Sequence, residues 1–109
     1  MSTPYQAGIY LFVDFNWPKP FQPEYGMKAK KLHAVVQNQS WIKETAAASG
    51  GIGAGPQSSW VFWLENYAAL DRLLKDREDP IGQAYVDFFS SMDSVSEKIR
   101  EEVLFISKD

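Results

Sequence analysis

Two carboxylates stand next to aromatic residues in the most apolar stretches of the chain. Asp14 follows Tyr10 and Phe12 at two-residue spacing, and Glu65 follows Trp63 in the same way. Because side chains alternate across a β-strand, each carboxylate shares a strand face with its aromatic neighbours. A carboxylate removed from water has a raised pKa and can act as a general base. The spacing predicts a ligand pocket formed by Tyr10, Phe12, Asp14, Trp63 and Glu65, with Asp14 as the catalytic candidate.

Both carboxylates also have a structural explanation. Asp14 can lie at the end of its strand and reach solvent or the seam between two subunits, and the residues alone leave this alternative open. For Glu65 the structural explanation is the stronger one, because the residue directly precedes Asn66, a good helix N-cap.

A second candidate for chemistry is the glycine-rich segment that contains Gly50, Gly51, Gly53 and Gly55. A phosphate-binding loop of the Walker type requires Lys and Ser or Thr after its last glycine, and here Pro-Gln follows. A dinucleotide-binding loop requires a helix after the glycines to receive the anion, and here a strand is predicted. We therefore expect a flexible connector between two strands and no nucleotide site. The loop can still flank a pocket and become ordered when a ligand binds.

The composition excludes several further classes of site. The 109 residues include no cysteine, which excludes disulfides, thiolate catalysis and zinc–sulfur sites. A single histidine excludes a multi-histidine metal site within one subunit, and a net charge of −3 argues against nucleic-acid binding. We expect no metal and no cofactor. The sequence shows no signal-peptide pattern and no stretch of membrane-spanning length, so we expect a soluble cytoplasmic protein without a membrane partner.

The elements that position these residues follow from apolar periodicity. Residues 8–16 and 59–65 are apolar on both strand faces, which is typical of strands in the centre of a sheet. Pro23, Asn66 and the pair Asp79-Pro80 mark helix starts. The predicted order is a strand at 8–16, a helix at 23–38, strands at 41–49 and 59–65, helices at 67–76 and 80–95, and a strand at 99–107.

This order, β-α-β-β-α-β with an interrupted second helix, predicts a single α+β domain over residues 1–109 with a ferredoxin-like fold and a four-stranded antiparallel sheet. In that fold the first and third strands are central, in agreement with their apolar faces. The helices of one chain cover only one face of such a sheet. We therefore expect a second copy of the chain to cover the other face, forming a homodimer or a larger homo-oligomer.

Two segments carry a family resemblance. Residues 61–74, VFWLENYAALDRLL, resemble the strand-into-helix segment of NIPSNAP-like and antibiotic-biosynthesis-monooxygenase-like proteins, and residues 101–107, EEVLFIS, resemble their last strand. With the topology, these segments make the chain similar to the dimeric α+β barrel superfamily. The resemblance implies that the uncovered sheet faces of two subunits meet and close a barrel across the dimer.

The resemblance also implies several activities. Haem-degrading members place an iron-ligating histidine on the helix after the third strand, and residues 67–75 contain none, which argues against haem degradation. Cofactor-free oxygenases of the superfamily use tryptophan, asparagine and tyrosine around an aromatic substrate. Trp63, Asn66 and Tyr67 are similar in kind to that set.

Two functional hypotheses remain. In the first, the chain is a homodimeric barrel protein of non-catalytic or undetermined activity whose aromatic face holds subunits together. In the second, it is a cofactor-free oxygenase- or isomerase-type enzyme, or a binding protein, for a small apolar or aromatic compound inside the barrel. A barrel packed solid favours the first hypothesis, and a cavity at Tyr10, Asp14 and Trp63 favours the second.

Overall fold

The computed structural model describes residues 7–37 and 39–105. Its elements follow the order β-α-β-β-α-α-β. They are β1 (Ile9–Asn16), α1 (Pro23–Val36), β2 (Ile42–Ser49), β3 (Ser58–Leu64), α2 (Tyr67–Lys75), α3 (Pro80–Phe89) and β4 (Asp93–Glu101). Up to α2, the predicted elements agree with these bounds within two residues. The predicted end of the first helix at Asn38 lies outside the described residues.

The four strands form one antiparallel sheet in the order β2-β3-β1-β4. The prediction that the first and third strands are central is confirmed. Along both central strands, buried residues alternate with partly exposed ones. The alternation shows that one face of the sheet is packed more completely than the other.

The three helices cover one face of the sheet. Inward-facing residues of β1 and β3 form a single core with residues of α1, α2 and α3. The largest side chains without solvent exposure are Leu11, Val13, Phe15, Leu32, Phe62, Leu64, Leu73 and Phe88. Tyr85 of α3 is also buried, and its hydroxyl donates a hydrogen bond to Glu97 of β4. Burial, together with this bond, raises the pKa of the Tyr85 phenol.

Local capping explains why α2 and α3 are separate helices. The Asn66 side chain accepts a hydrogen bond from the Ala69 backbone N–H at 2.9 Å, at the start of α2. The Asp79 side chain accepts one from the Ile81 N–H at 2.9 Å, and Pro80 occupies the first turn of α3. Both caps satisfy backbone donors that a helix start leaves free. The predicted interruption at Asp79-Pro80 is thus present.

The predicted bounds of the last helix and the last strand are wrong. The last helix ends at Phe89 rather than at residue 95, and β4 spans Asp93–Glu101 rather than residues 99–107. All nine residues of β4 are exposed, because it is an edge strand, and polar residues therefore obscure the strand pattern. Residues 102–105 form no strand, and residues 106–107 of the predicted strand lie outside the described residues.

Within the described ranges, none of the helices is both long and apolar enough to cross a membrane.

Candidate functional site

The sheet face opposite the helices, here called the open face, carries most of the predicted pocket. Its central residues are Tyr10 and Phe12 of β1 and Val61 and Trp63 of β3, none of which belongs to the buried core. In the sheet register Tyr10 lies directly opposite Trp63, and Phe12 lies opposite Val61. The aromatic residues that the sequence placed on one strand face are therefore brought together across two strands.

The rings on the open face form a continuous aromatic surface, here called the aromatic cluster, of Tyr10, Phe12 and Trp63. Tyr10 and Trp63 are stacked with ring centroids 5.8 Å apart and planes 15° apart, and Tyr10 is 6.0 Å from Phe12. The Lys43 ammonium lies 4.9 Å above the Trp63 ring. The Trp63 indole N–H donates to Glu102 at 3.1 Å. Because Glu102 holds the edge of the indole and Lys43 packs over its face, the position of the ring is fixed.

Asp14 lies at the polar end of the open face and has two partners. Ser59, directly opposite in the register, donates its hydroxyl hydrogen to Asp14 Oδ1 at 2.5 Å. Lys98 Nζ is 3.7 Å from Asp14 Oδ2, with side chains 51% and 25% exposed respectively. The strand position of this acid is therefore accounted for by a hydrogen bond and an ion pair. The carboxylate keeps free lone pairs beside these two partners, so it can orient a polar group of a ligand.

Glu65 occupies a different setting from the other four predicted pocket residues. It lies one residue beyond β3, in the exposed turn before α2, and its backbone N–H donates to the Trp41 carbonyl at 3.2 Å. Within the described part of the chain, its side chain makes no hydrogen bond or ion pair with the aromatic cluster or Asp14. That Tyr10, Phe12, Asp14, Trp63 and Glu65 form a ligand pocket stays a prediction.

The three residues singled out by the oxygenase resemblance do not converge. Trp63 lies on the open face, whereas the Asn66 side chain caps α2. The Tyr67 hydroxyl donates to Glu101 at 2.9 Å, and this hydrogen bond to a carboxylate raises the pKa of the phenol. Glu101 is paired in register with Ile9, a core-facing residue, so Tyr67 is engaged on the helix side of the sheet.

Several polar residues at the open face were not foreseen. Lys98 and Arg100 of β4 lie opposite Phe12 and Tyr10 in the register. Glu102 accepts hydrogen bonds from the Trp63 indole and, at 2.8 Å, from the Gly8 backbone N–H. All three depend on the position of β4, which the sequence pattern misplaced. All nine residues of β4 are exposed, so no burial alternation within residues 93–101 could identify Lys98 and Arg100.

The glycine segment connects β2 and β3, as predicted. Gly50, Gly51, Gly53 and Gly55 all have positive φ angles, between 82° and 144°. The Gly50 N–H donates to the Gln57 carbonyl at 2.8 Å and closes the connection. The positive φ angles favour glycine at these positions, whereas space does not, since a Cβ atom at any of the four would meet nothing within 4 Å.

The described ranges, residues 7–37 and 39–105, contain no group of three histidine, aspartate or glutamate side chains placed to hold a metal ion.

No protein-family model matches the chain, and no curated protein sequence matches it. Several solved structures are similar to it in fold. A dimeric ferredoxin-like protein of unknown function from Thermobifida fusca is 17% identical, with a TM-score of 0.66 over 91% of this chain and 92% of that chain. A DABB family protein with a ferredoxin-like fold from Mesorhizobium loti is 10% identical, with a TM-score of 0.65 over 92% and 99%.

A hydroxynitrile lyase from Passiflora edulis is 11% identical, with a TM-score of 0.71 over 95% of this chain and 100% of that chain. At these identities the similarity concerns the fold and not the activity. The narrower resemblance to NIPSNAP-like and antibiotic-biosynthesis-monooxygenase-like proteins stays a prediction. Topology and comparisons together show that this chain has the ferredoxin-like fold, with the four-stranded antiparallel sheet expected from its sequence.

Proposed function

We propose that the protein is a homodimer in which the open faces of two sheets meet and close an α+β barrel. The observation that carries this proposal is the aromatic cluster of Tyr10, Phe12 and Trp63, which lies on the central strands and outside the core of the chain. Aromatic residues gathered on a surface mark an interaction site, since water contact with them is unfavourable. The description of the Thermobifida fusca protein as dimeric supports the proposal.

The charges around the aromatic cluster favour a second copy of the chain as the partner. Cations and anions both border the aromatic cluster on this face, so its surroundings carry both signs of charge. A two-fold symmetric interface brings a surface patch against itself, and a patch of one sign would then repel its copy. The residues are Lys43, Lys98 and Arg100, and Asp14, Glu44 and Glu102.

A second candidate function is the binding or conversion of a small aromatic compound between the two sheets. The observation that favours it is that the stacked pair Tyr10 and Trp63 shares the open face with the hydrogen-bonded pair Asp14 and Ser59, with one same-face residue pair between them along the strands. A flat apolar surface next to a few fixed polar groups is a common composition of ligand sites. The Passiflora edulis enzyme shows that catalysts occur among proteins of this fold, which supports the candidate without identifying a reaction.

Sedimentation equilibrium tests the assembly directly. We expect twice the 12.4 kDa chain mass at micromolar concentration. A chain that stays monomeric at a concentration of about 100 μM, where even weak specific contacts are populated, would overturn the proposed dimer. Titration with 2-naphthol, followed by tryptophan fluorescence, tests the second candidate. Quenching that is lost in Trp63→Leu and kept in Trp41→Leu would support a ligand between the sheets.

A further inference from the structure

Two adjoining cavities lie at the end of the sheet beside the glycine segment. The larger has a volume of about 590 Å³ and lies between the β1–α1 connection, the glycine segment and the start of β4. The smaller has a volume of about 150 Å³ and lies between β1, β2 and β3. Trp17, Ser49 and Ser58 line both cavities, so they adjoin. The larger volume is within the range of small-molecule sites, about 300–1,000 Å³.

The larger cavity is lined mainly by neutral polar groups. Asn16 accepts a hydrogen bond from the Gln57 backbone N–H at 3.0 Å, which fixes its amide and leaves the amide NH₂ group to donate. Ser94 contributes a hydroxyl from a backbone with φ of 56°. The two charged residues of the lining, Lys19 and Asp93, have opposite signs. Such a surface matches a neutral ligand rich in hydroxyl groups.

A hydrogen-bonded serine pair lies where the two cavities meet. Ser58 is 2% exposed, and its hydroxyl is 2.8 Å from the hydroxyl of Ser49. One hydroxyl donates to the other, which leaves one hydrogen and additional lone pairs for a third group. A polar pair with one buried member and remaining hydrogen-bonding capacity is suited to hold a ligand oxygen at the boundary between the cavities.

The smaller cavity is aromatic. Phe15, Trp17 and Trp60 line it together with Ala47 and Ala48. The Trp17 ring is held by edge contacts with Phe15 at 5.6 Å and with Phe88 at 5.5 Å. The indole is thus a fixed wall against which an aromatic ring of a ligand can pack.

We propose that the two cavities together bind a neutral aryl glycoside, with the sugar in the larger polar cavity and the aromatic ring in the smaller one. The relative volumes support this orientation, since the polar cavity is the larger. The glycine segment contributes to this site, because Gly55 has no side chain and lines the polar cavity with its backbone alone. The site consists of residues of one chain and does not depend on the proposed dimer.

The test is a titration with phenyl β-D-glucoside, followed by ¹H–¹⁵N NMR on the full chain, with D-glucose and phenol titrated separately. We expect shifts of the Trp17 and Trp60 indole signals and of the Gln57 amide signal. Because the two cavities adjoin, the glucoside should bind at least tenfold more tightly than either half, an advantage of about 1.4 kcal/mol. An affinity no higher than that of phenol would overturn the proposal.

Two variants test the cavities separately. Ala47→Phe places a ring at the smaller cavity from an exposed strand position, and should reduce the glucoside affinity to that of glucose. Ala68→Phe, at an exposed position of α2, is the matched control and should leave the affinity unchanged. Ser94→Gly removes a hydroxyl while permitting the positive φ, and should weaken glucoside and glucose binding without loss of stability.

The location of the signals distinguishes this inference from the ligand candidate above. Shifts confined to Tyr10, Phe12 and Trp63 would place the glucoside on the open face and overturn the inference. Unchanged binding in both Ala47→Phe and Ser94→Gly would overturn it as well. If Ala47→Phe does not fold, Ser94→Gly alone decides the polar cavity. Sedimentation of the same samples reports the dimer independently.

Discussion

Replacing Phe12 by alanine is expected to weaken self-association strongly while leaving the chain folded. Phe12 lies in the middle of the open face, between Val61 and Lys98 in the sheet register. It is partly exposed in the isolated chain and contacts Tyr10 on the same strand. Its removal therefore leaves the helix-covered core intact. We expect a loss of monomer stability on the order of 1 kcal/mol, as for most substitutions outside a core.

The effect on the dimer is larger, because a two-fold axis makes each substitution count twice. Burial of the remaining exposed part of a phenylalanine ring contributes about 1–2 kcal/mol, and interface truncations at anchor residues exceed about 2 kcal/mol. Two rings then contribute about 2–4 kcal/mol per dimer. At about 1.4 kcal/mol for each factor of ten, the dissociation constant should rise roughly 30- to 700-fold.

Sedimentation equilibrium of wild type and variant over a range of concentrations measures this change. The matched control is Phe21→Ala, since Phe21 is 57% exposed and lies in the β1–α1 connection rather than on the open face. Its dimer should dissociate as wild type does. Equal dissociation constants for Phe12→Ala and wild type, with both chains folded by circular dichroism, would refute the placement of the interface on the open face.

Three further outcomes are expected. The pKa of Asp79 is held below its usual value by the Ile81 backbone N–H and by Arg72. Ionised Asp79 therefore stabilises the fold above about pH 3.9, and this contribution is lost as the pH falls through the lower pKa of the folded state. Urea unfolding between pH 5 and pH 2 should show a smaller decrease in the free energy of unfolding for Asp79→Asn than for wild type. Asp14→Asn should change stability by less than about 1 kcal/mol, because the ion pair with Lys98 is only partly buried and an asparagine oxygen can still accept the Ser59 hydrogen bond. A loss of ligand binding in a variant of unchanged stability would assign Asp14 a chemical role. Calorimetric titration with ATP or NAD should give no binding heat for wild type or Gly53→Ala, and nucleotide binding abolished by Gly53→Ala would contradict the connector interpretation.

The sequence predicted those parts of the fold whose signals are local. Apolar residues on both faces of β1 and β3 were sufficient to place both strands in the centre of the sheet. Asn66 and Asp79 form their caps within three residues along the chain, so the two helix starts were also predictable. β4 was misplaced because burial, which generates alternation, is absent from an exposed edge strand.

For the candidate site, the sequence predicted which residues share a strand face but not which residues are neighbours across strands. Strand parity placed Tyr10, Phe12 and Asp14 together, but their partners across the sheet depend on register. Ser59 is the direct neighbour of Asp14, and no feature within either strand specifies that pairing. The polar setting of Asp14 therefore emerges only from the assembled sheet. Asp14, an acid on an otherwise apolar strand, belongs to a polar row across the sheet that Ser59 and Ser96 complete.

This polar row crosses the strands and divides the open face into an aromatic part and a polar part. Towards Tyr10 the face is aromatic, and from Asp14 to Asn16 it becomes polar and reaches the cavities beside the glycine segment. Self-association and the proposed glycoside site are thus assigned to different parts of one strand. Because the residues involved do not contact one another, their substitutions should act independently. Phe12→Ala should change the dimer and spare the glucoside, whereas Ser94→Gly should do the reverse.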